Sequence, residues 1–433
     1  MPRRGALVVS AAAAPDRAHT VLVDLYRTAV EAASPGRAVL AALDALPPHP
    51  ATRPARVHLL ALGKAAHPMA AAATAVLVGR GAVPAGGVVI APNAAPPPHP
   101  HVVVAVGSHP VPDLHSANAA ARLADAVARV APGDEVWVLL SGGASSLAAA
   151  PVDGVRGEDL AALSRLLLGS GLDIAAMNAV RKRFSRWGGG RLAAAIAARG
   201  AGRVRCLVVS DVIGDDLAAI GSGPCVPDPV TAAELRARLA DAALWDALPA
   251  PLRAAIESGE RDPRRETPKA GDPVFARVET ALVASNRLSL DAVVARAGAL
   301  GLPARIESDA LAGEASVVGR TLGAAVRALA EAPPADGTRC LVWGGETTVT
   351  LGDAPGLGGR CQELALAAAA ELADAAGAIV DAGSWAAARA AGRDPARDLA
   401  LHDAHPALET AGALVRPGLT GTNVMDVMVG VVI

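Results

Sequence analysis

Three charged side chains stand where a chain does chemistry rather than packing. Asp211 follows the apolar run Leu207-Val208-Val209, Lys64 follows the run 57–62, and Arg360 follows the glycine-rich Gly356-Leu357-Gly358-Gly359. Ser210 and Asp211 fall at the C-terminal end of what reads as a buried parallel strand, the edge at which open α/β sheets bind ligands. Gly214-Asp215-Asp216 and Gly221-Ser222-Gly223-Pro224 come directly after. Glycine amides and hydroxyls suit phosphate oxygens, and carboxylates suit a hard cation. Taken singly, a strand-Asp-Gly loop is equally a surface turn whose aspartates cap the next helix.

Gly63-Lys64-Ala65-Ala66 opens a helix and sets an ammonium beside its positive end, where an anion gains about 0.3–1 kcal/mol from the dipole. It lacks the spacing of a Walker A loop, and alone it also reads as a solvated helix-start lysine. Ser141-Gly142-Gly143-Ala144-Ser145-Ser146 follows the run 136–140 and offers backbone N–H groups and hydroxyls, or simply a capped turn. Asn178-Ala179-Val180-Arg181-Lys182-Arg183, read as the start of a helix, carries a basic face next to Gly188-Gly189-Gly190-Arg191. Such a face either clamps phosphates or is a solvated surface. Residues 342–349 read as strand, glycine turn and strand, with Glu346 at the turn, and Thr420-Gly421-Thr422-Asn423 precedes a terminal strand over 424–432. Arg360 in the first turn of a helix opposes the dipole, which points to a bound anion.

The elements that must position these groups alternate. Strand-like runs at 57–62, 87–90, 102–106, 136–140 and 207–209 are separated by alanine-rich helical segments, which predicts βα units and a mainly parallel, Rossmann-like sheet. Proline-rich or aperiodic breaks at 91–100, 249–272 and 332–337 punctuate the chain. The expected organisation is an N-terminal extension over 1–20, a large α/β domain over 21–330 whose last part, about 230–330, is a connecting region, and a smaller C-terminal α/β domain over 331–433.

A chain of 433 residues exceeds one hydrophobic core, which is why two domains are expected. Aromatic residues make up 2%, so Ala, Val and Leu must fill the cores. Forty Lys plus Arg against 42 Asp plus Glu leave a net charge of −2 and no basic field for nucleic acid or membrane. No apolar stretch approaches the roughly 20 residues a membrane span requires. Cys206, Cys225, Cys340 and Cys361 lack zinc spacing and read as buried free thiols in a reducing, cytoplasmic setting. Against that, Arg3-Arg4 before the run 5–15 mimics a weak export signal.

Together the loops resemble the glycerate 2-kinase family, in which an N-terminal glycerate kinase domain precedes a small MOFRL domain. The match is carried by Gly63-Lys64-Ala65-Ala66, Ser108-His109-Pro110-Val111-Pro112-Asp113, Ser141-Gly142-Gly143-Ala144-Ser145, Asn178-Ala179-Val180-Arg181-Lys182, Ser210-Asp211-Val212-Ile213-Gly214-Asp215 and Gly221-Ser222-Gly223-Pro224. It continues through Glu266-Thr267-Pro268-Lys269, Gly344-Gly345-Glu346-Thr347-Thr348-Val349, Gly358-Gly359-Arg360 with Gln362-Glu363-Leu364, and Gly421-Thr422-Asn423 with Asp426. The resemblance implies ATP-dependent phosphorylation of D-glycerate at its 2-hydroxyl, with Mg²⁺, in a cleft between two domains. It implies Lys64, Arg360 and Asp211 as catalytic groups. Ser141, Gly142, Gly143, Ser145, Asn178, Arg181, Lys182, Gly221, Ser222, Gly223 and Gly345 would contact nucleotide phosphates. Arg360, Gln362, Glu363, Thr422 and Asn423 would contact substrate, and Asp211, Asp215 and Glu346 would hold the metal.

Two departures stand out. In the family a strand and a Thr-Asp-Gly loop precede the segment that here begins at Asp374, and this chain runs into it directly from Glu371-Leu372, so slow turnover is expected. Cys361 stands where the family carries asparagine. Two other function classes stay open: a hydroxypyruvate reductase, against which no strand-linked G-x-G-x-x-G is present, and a non-catalytic nucleotide or glycerate binder.

Overall fold

Short apolar runs alternating with alanine-rich helices close into one large parallel sheet and one small mixed sheet. The computed structural model describes residues 17–45, 56–172, 174–352, 355–371, 382–415 and 422–432. The run 5–15, the segment after Leu372 and Thr420-Gly421 lie outside these residues. The chain separates into two compact units, Pro35–Ala284 and the segments Met1–Ser34 with Ser285–Ile433.

In the larger unit, strands β1 (Val57–Leu62), β2 (Gly86–Ala91), β3 (Val102–Val106), β4 (Glu135–Leu140), β5 (Arg203–Val209) and β6 (Val278–Ala284) form a sheet in the order β3-β2-β1-β4-β5-β6. Every neighbouring pair is parallel. β1, β2 and β4 are buried at every position, as befits strands covered on both faces. Leu60, Leu62, Val88, Ile90, Val136, Val138, Leu140, Val204, Cys206 and Val208 share one cluster with Leu123 and Leu192 from flanking helices. Leu60 is 0% exposed, so Leu60→Ala costs about 2–5 kcal/mol through lost transfer energy and the cavity left behind. The helix Ala66–Gly79 buries Ala66, Met69, Ala70, Ala72 and Ala73, whose mostly small side chains let helix and strand backbones approach. The strand order reverses between β1 and β4, the switch point at which such sheets leave a crevice beyond their carboxyl ends.

The smaller unit holds β7 (Ala304–Leu311), β8 (Cys340–Gly345) and β9 (Asp426–Val431), with β8 parallel to β7 and antiparallel to β9. Its first helix comes from the far end of the sequence. Leu22, Leu25 and Ala29 of Arg17–Ala32 pack with Leu290, Val293 and Val342, and Ser289 donates from Oγ to the Ala29 carbonyl at 3.2 Å. Arg296 pairs with Asp24 at 2.7 Å on the rim of the same contact.

Several expectations change. The compact units divide at 34/35 and 284/285, whereas the sequence pattern places 285–330 with the N-terminal domain. That segment contributes β7 and its two neighbouring helices to the smaller unit, because their apolar faces are buried there. β6, inside the supposed connecting region, completes the large sheet. The second arm of the turn after β8 is no strand: Thr348 makes only an isolated bridge with Glu314. The four cysteines are free, but Cys361 is exposed rather than buried. Among the described residues, no helix is long and apolar enough to cross a membrane.

Candidate active site

The turns after β1 and β4 are laced together at the switch point. The amide of Ser141 donates to the Leu62 carbonyl at 2.9 Å, that of Lys64 to Gly142 at 2.9 Å, and that of Ala65 to Ser141 Oγ at 3.0 Å. Two glycines make this possible. Gly63 has φ +122°, and a Cβ there would lie 2.2 Å from Ser141 Oγ. A Cβ on Gly142 would lie 1.7 Å from Asp211 Oδ2, so the carboxylate from the end of β5 rests directly on the β4 turn. Lys64 Nζ stands 3.6 Å from that oxygen, with the two side chains 35% and 18% exposed. A pair so open to water adds about 0–1 kcal/mol to folding, so it serves better as a charge pair that an anion or cation can enter.

His109, absent from the residues singled out for chemistry, belongs here. A Cβ on Gly143 would lie 2.9 Å from its ring Cδ2 and 3.3 Å from Lys64 Cε. Partial burial and the Lys64 ammonium lower the imidazole pKa, against the opposing pull of Asp211. Its signal was the loop position after β3, at the same carboxyl edge of the sheet.

The next layer brings the Ser141 and Gly221 loops together: Ser145 Oγ and Ser222 Oγ are 2.7 Å apart. Gly221, Ser222 and Gly223 all have positive φ, at 55°, 64° and 58°. Their turn is held from behind, where Gly189 donates to the Ser222 carbonyl and Gly190 to that of Gly223, both at 2.8 Å. Among the described residues, the amides of Gly142, Gly143, Ala144 and Ser145 have no backbone acceptor outside helices and strands, which leaves them available to phosphate oxygens.

For a divalent cation, Asp211 and Asp215 are the fitting donors. Asp215 holds φ 55°, and its buried Oδ1 has no hydrogen-bond partner among the described residues, an expensive arrangement that a cation would relieve. Mg²⁺ commonly takes only one or two carboxylates and fills its remaining positions with water and phosphate. No cluster of three or more His, Cys, Asp or Glu suited to a metal occurs among the described residues.

The basic helix, expected to contact phosphates, has partners of its own within the chain. It runs Ile174–Arg183, so Asn178 lies mid-helix, where its Oδ1 accepts from Arg181 Nη1 at 3.4 Å. Lys182 is 6% exposed and 3.7 Å from the buried Asp228, and Arg183 pairs with Glu266. Thr267 Oγ1 donates to Asp228 Oδ2 at 2.9 Å, and Lys269 Nζ to Thr267 Oγ1 at 2.7 Å. Burial pushes the Glu266 carboxyl up, but the Ala232 amide and the Arg183 guanidinium outweigh it and hold it down at about 2. This network backs the glycine turn, since a Cβ on Gly189 would meet Thr267 Cγ2 at 3.1 Å and Asp228 Oδ2 at 3.4 Å.

In the smaller unit the helix Arg360–Glu371 begins with the arginine that sequence singled out. Its guanidinium forks onto Asp426, Nε to Oδ2 at 2.7 Å and Nη2 to Oδ1 at 2.9 Å, and Nη1 reaches Glu346 Oε1 at 2.8 Å. These bonds raise its pKa, Asp426 contributing most. Two carboxylates therefore offset the unfavourable dipole, Glu346, expected to hold a metal, being one of them. Among the described residues, Asp426 and Glu346 engage three of the guanidinium's five N–H donors. Asn286, unremarked in the sequence, donates from Nδ2 to the carbonyls of Val424 and Asp426 at 3.0 and 2.8 Å and fixes the strand that carries Asp426.

The other residues expected to make contacts also have neighbours or partners within the chain. Gly345 is buried with φ 147°, and a Cβ would lie 2.2 Å from the Leu311 carbonyl oxygen, so close packing requires glycine there. Glu363 is 3% exposed and pairs with His402. Gln362 Oε1 lies 3.3 Å from His405 Nδ1. Thr422 Oγ1 donates to the Ala33 carbonyl at 2.7 Å, and Asn423 Oδ1 accepts from the Met425 amide at 3.4 Å.

Comparison with known proteins bears on both units. A family profile described as "Domain of unknown function (DUF4147)" matches residues 21–257, and the MOFRL family profile matches residues 339–426. A glycerate 2-kinase of Pyrococcus horikoshii is 35% identical, covering 94% of this chain and 96% of its own. A protein of Agrobacterium vitis carrying a provisional hydroxypyruvate reductase name is 37% identical over 95% of this chain and 93% of its own. The crystal structure of a glycerate kinase from Thermotoga maritima superposes with a TM-score of 0.82 at 33% identity, covering 96% of this chain and 99% of that one.

Proposed function

The chain belongs to the glycerate 2-kinase family, built of DUF4147 and MOFRL domains, and from that premise we propose that it transfers a phosphoryl group from ATP to the 2-hydroxyl of D-glycerate, giving 2-phosphoglycerate. The observation that carries this reading is the Lys64–Asp211 pair laced to the Ser141–Gly143 turn at the switch point of the sheet.

Phosphoryl transfer asks a protein to position donor and acceptor and to neutralise charge on the transferred oxygens. Lys64 would leave Asp211 for the donor phosphates, and the amides of Gly142 to Ser145 would approach them without side-chain obstruction. Of the paired hydroxyls of Ser145 and Ser222, the one that does not donate to the other would donate to the same oxygens. Asp211 and Asp215 would hold Mg²⁺, which when bound supplies further charge neutralisation across the phosphates. Arg360 would take the acceptor carboxylate, its orientation fixed by Asp426 and Glu346.

The strand order β3-β2-β1-β4-β5-β6 is also that of dinucleotide-binding domains, which favours testing the reductase reading directly. The turn after β1 reads Gly63-Lys64-Ala65-Ala66 and lacks the glycine fingerprint of that chemistry. Purified protein is incubated with D-glycerate, ATP and Mg²⁺, and separately with hydroxypyruvate and NADH. Formation of 2-phosphoglycerate with ADP supports the kinase, and NADH oxidation without phosphoryl transfer rejects it.

A further inference from the structure

Arg360 is held from behind by a corner of chain that no part of the proposed chemistry uses. The glycine loop before it docks on residues 401–405: Gly356 donates to the Leu401 carbonyl at 2.9 Å, Leu357 to Asp403 Oδ1 at 2.8 Å, and His405 to the Leu357 carbonyl at 2.9 Å. The fit is close, since a Cβ on Gly356 would lie 2.4 Å from Asp403 Oδ1. Two side-chain pairs then tie the corner to the first turn of the Arg360 helix, His402 Nδ1 to Glu363 Oε2 at 2.9 Å and His405 Nδ1 to Gln362 Oε1 at 3.3 Å. Asp403 is itself braced by Arg393 Nη2 at 2.7 Å, and Arg393 also grips Asp398.

Two features of this corner are unfavourable in isolation. Glu363 is 3% exposed with no partner for its Oε1 among the described residues, and its place in the first turn of a helix offsets only part of the cost of burial. His402 sits at φ 53°, a left-handed conformation disfavoured for a residue with a Cβ. Both serve one contact, the bond that fixes the helix start relative to the corner.

We propose that His402 and Asp403 are positioning residues for Arg360: they set the start of its helix so that its guanidinium faces the acceptor carboxylate. The inference rests on the reading of Arg360 as the carboxylate-binding group. Neither residue touches substrate. The corner acts through backbone placement, where a displacement of about 1 Å costs on the order of 10²-fold.

The test measures D-glycerate and ATP dissociation constants by calorimetry for the full chain and for Arg360→Ala, His402→Ala, His402→Asn, Asp403→Ala and Asp403→Asn, with melting temperatures alongside. Asparagine tolerates left-handed backbone and can place an amide donor near the position of Nδ1, and Asp403→Asn keeps an acceptor for Leu357. We expect both alanine variants to weaken D-glycerate about 10-fold or more with ATP affinity unchanged, and both asparagine variants to recover to within about 3-fold. Unchanged D-glycerate affinity in the alanine variants, with Arg360→Ala weakened, overturns the positioning role. Unchanged affinity in Arg360→Ala instead overturns the carboxylate reading beneath it. Parallel loss of both ligands with a fall in melting temperature shows a merely structural corner and also rejects the proposal.

Discussion

At the scale of single residues, the site depends as much on missing side chains as on charged ones. Lys64 and Asp211 meet over Gly142 because no Cβ intervenes. Lys64→Ala is therefore expected to lower kcat/KM for phosphoryl transfer by at least about 10²-fold with little change in melting temperature, since a partly exposed lysine contributes little to folding. Equal losses of stability and activity would instead identify an ordinary helix-start lysine. Gly142→Ala should displace the Asp211 carboxylate, whose Oδ2 would stand 1.7 Å from the new methyl, and abolish the ATP-dependent rise in melting temperature. A full ATP-dependent shift in this variant would show that Asp211 is dispensable for nucleotide binding.

At the scale of elements, the helix Ile174–Arg183 is joined to the segment 266–269 by a buried ionic network that backs the glycine turns. Glu266 makes that junction pH-dependent. Its carboxyl falls from an ordinary 4.5 to about 2 in the folded chain, so its stabilisation is complete above 4.5 and is lost as pH falls through about 2. A shift of this size corresponds to about 3 kcal/mol at most, and less after solvent screening. Glu266→Gln should lower the melting temperature at pH 7, and the difference from the parent should shrink steadily as acid denaturation profiles are taken from pH 5 towards pH 2. A difference that stays constant over that range would place the contribution in packing instead.

At the scale of the whole molecule, binding and turnover are expected to part company. Lys64, the Ser141–Ser145 turn, Asp211 and Arg360, the groups proposed to hold ATP and D-glycerate, are present, whereas the acidic loop that the family resemblance expects before Asp374 is not present in the sequence. Losing a general base or a metal-orienting carboxylate commonly costs about 10²–10⁴ in rate while leaving ground-state binding intact. ATP with Mg²⁺ should raise the melting temperature, and D-glycerate should add to that shift by mass action. Steady-state turnover should fall below the ordinary kinase range of about 1–100 per second. A rate inside that range would show that another group replaces the loop, and the absence of any thermal shift would sink the kinase assignment for this chain.

The sequence alone determined the parallel sheet and the loops at its carboxyl edge. Buried strands such as 57–62 and 136–140 are almost wholly apolar runs, and the glycines and polar residues that end each run are equally legible. It also placed Lys64, Ser141, Gly142 and Asp211 correctly at that edge, because local order fixes which residue comes after a strand. Tertiary structure alone decided partners. Lys182 is buried against Asp228, 46 residues on, and Arg360 is matched by Asp426, 66 residues on. The N-terminal helix joins the smaller unit across more than half the chain. Charge and amphipathicity state that a side chain needs a partner or a covering face, but which one it obtains depends on how distant segments pack, and no local pattern encodes that distance.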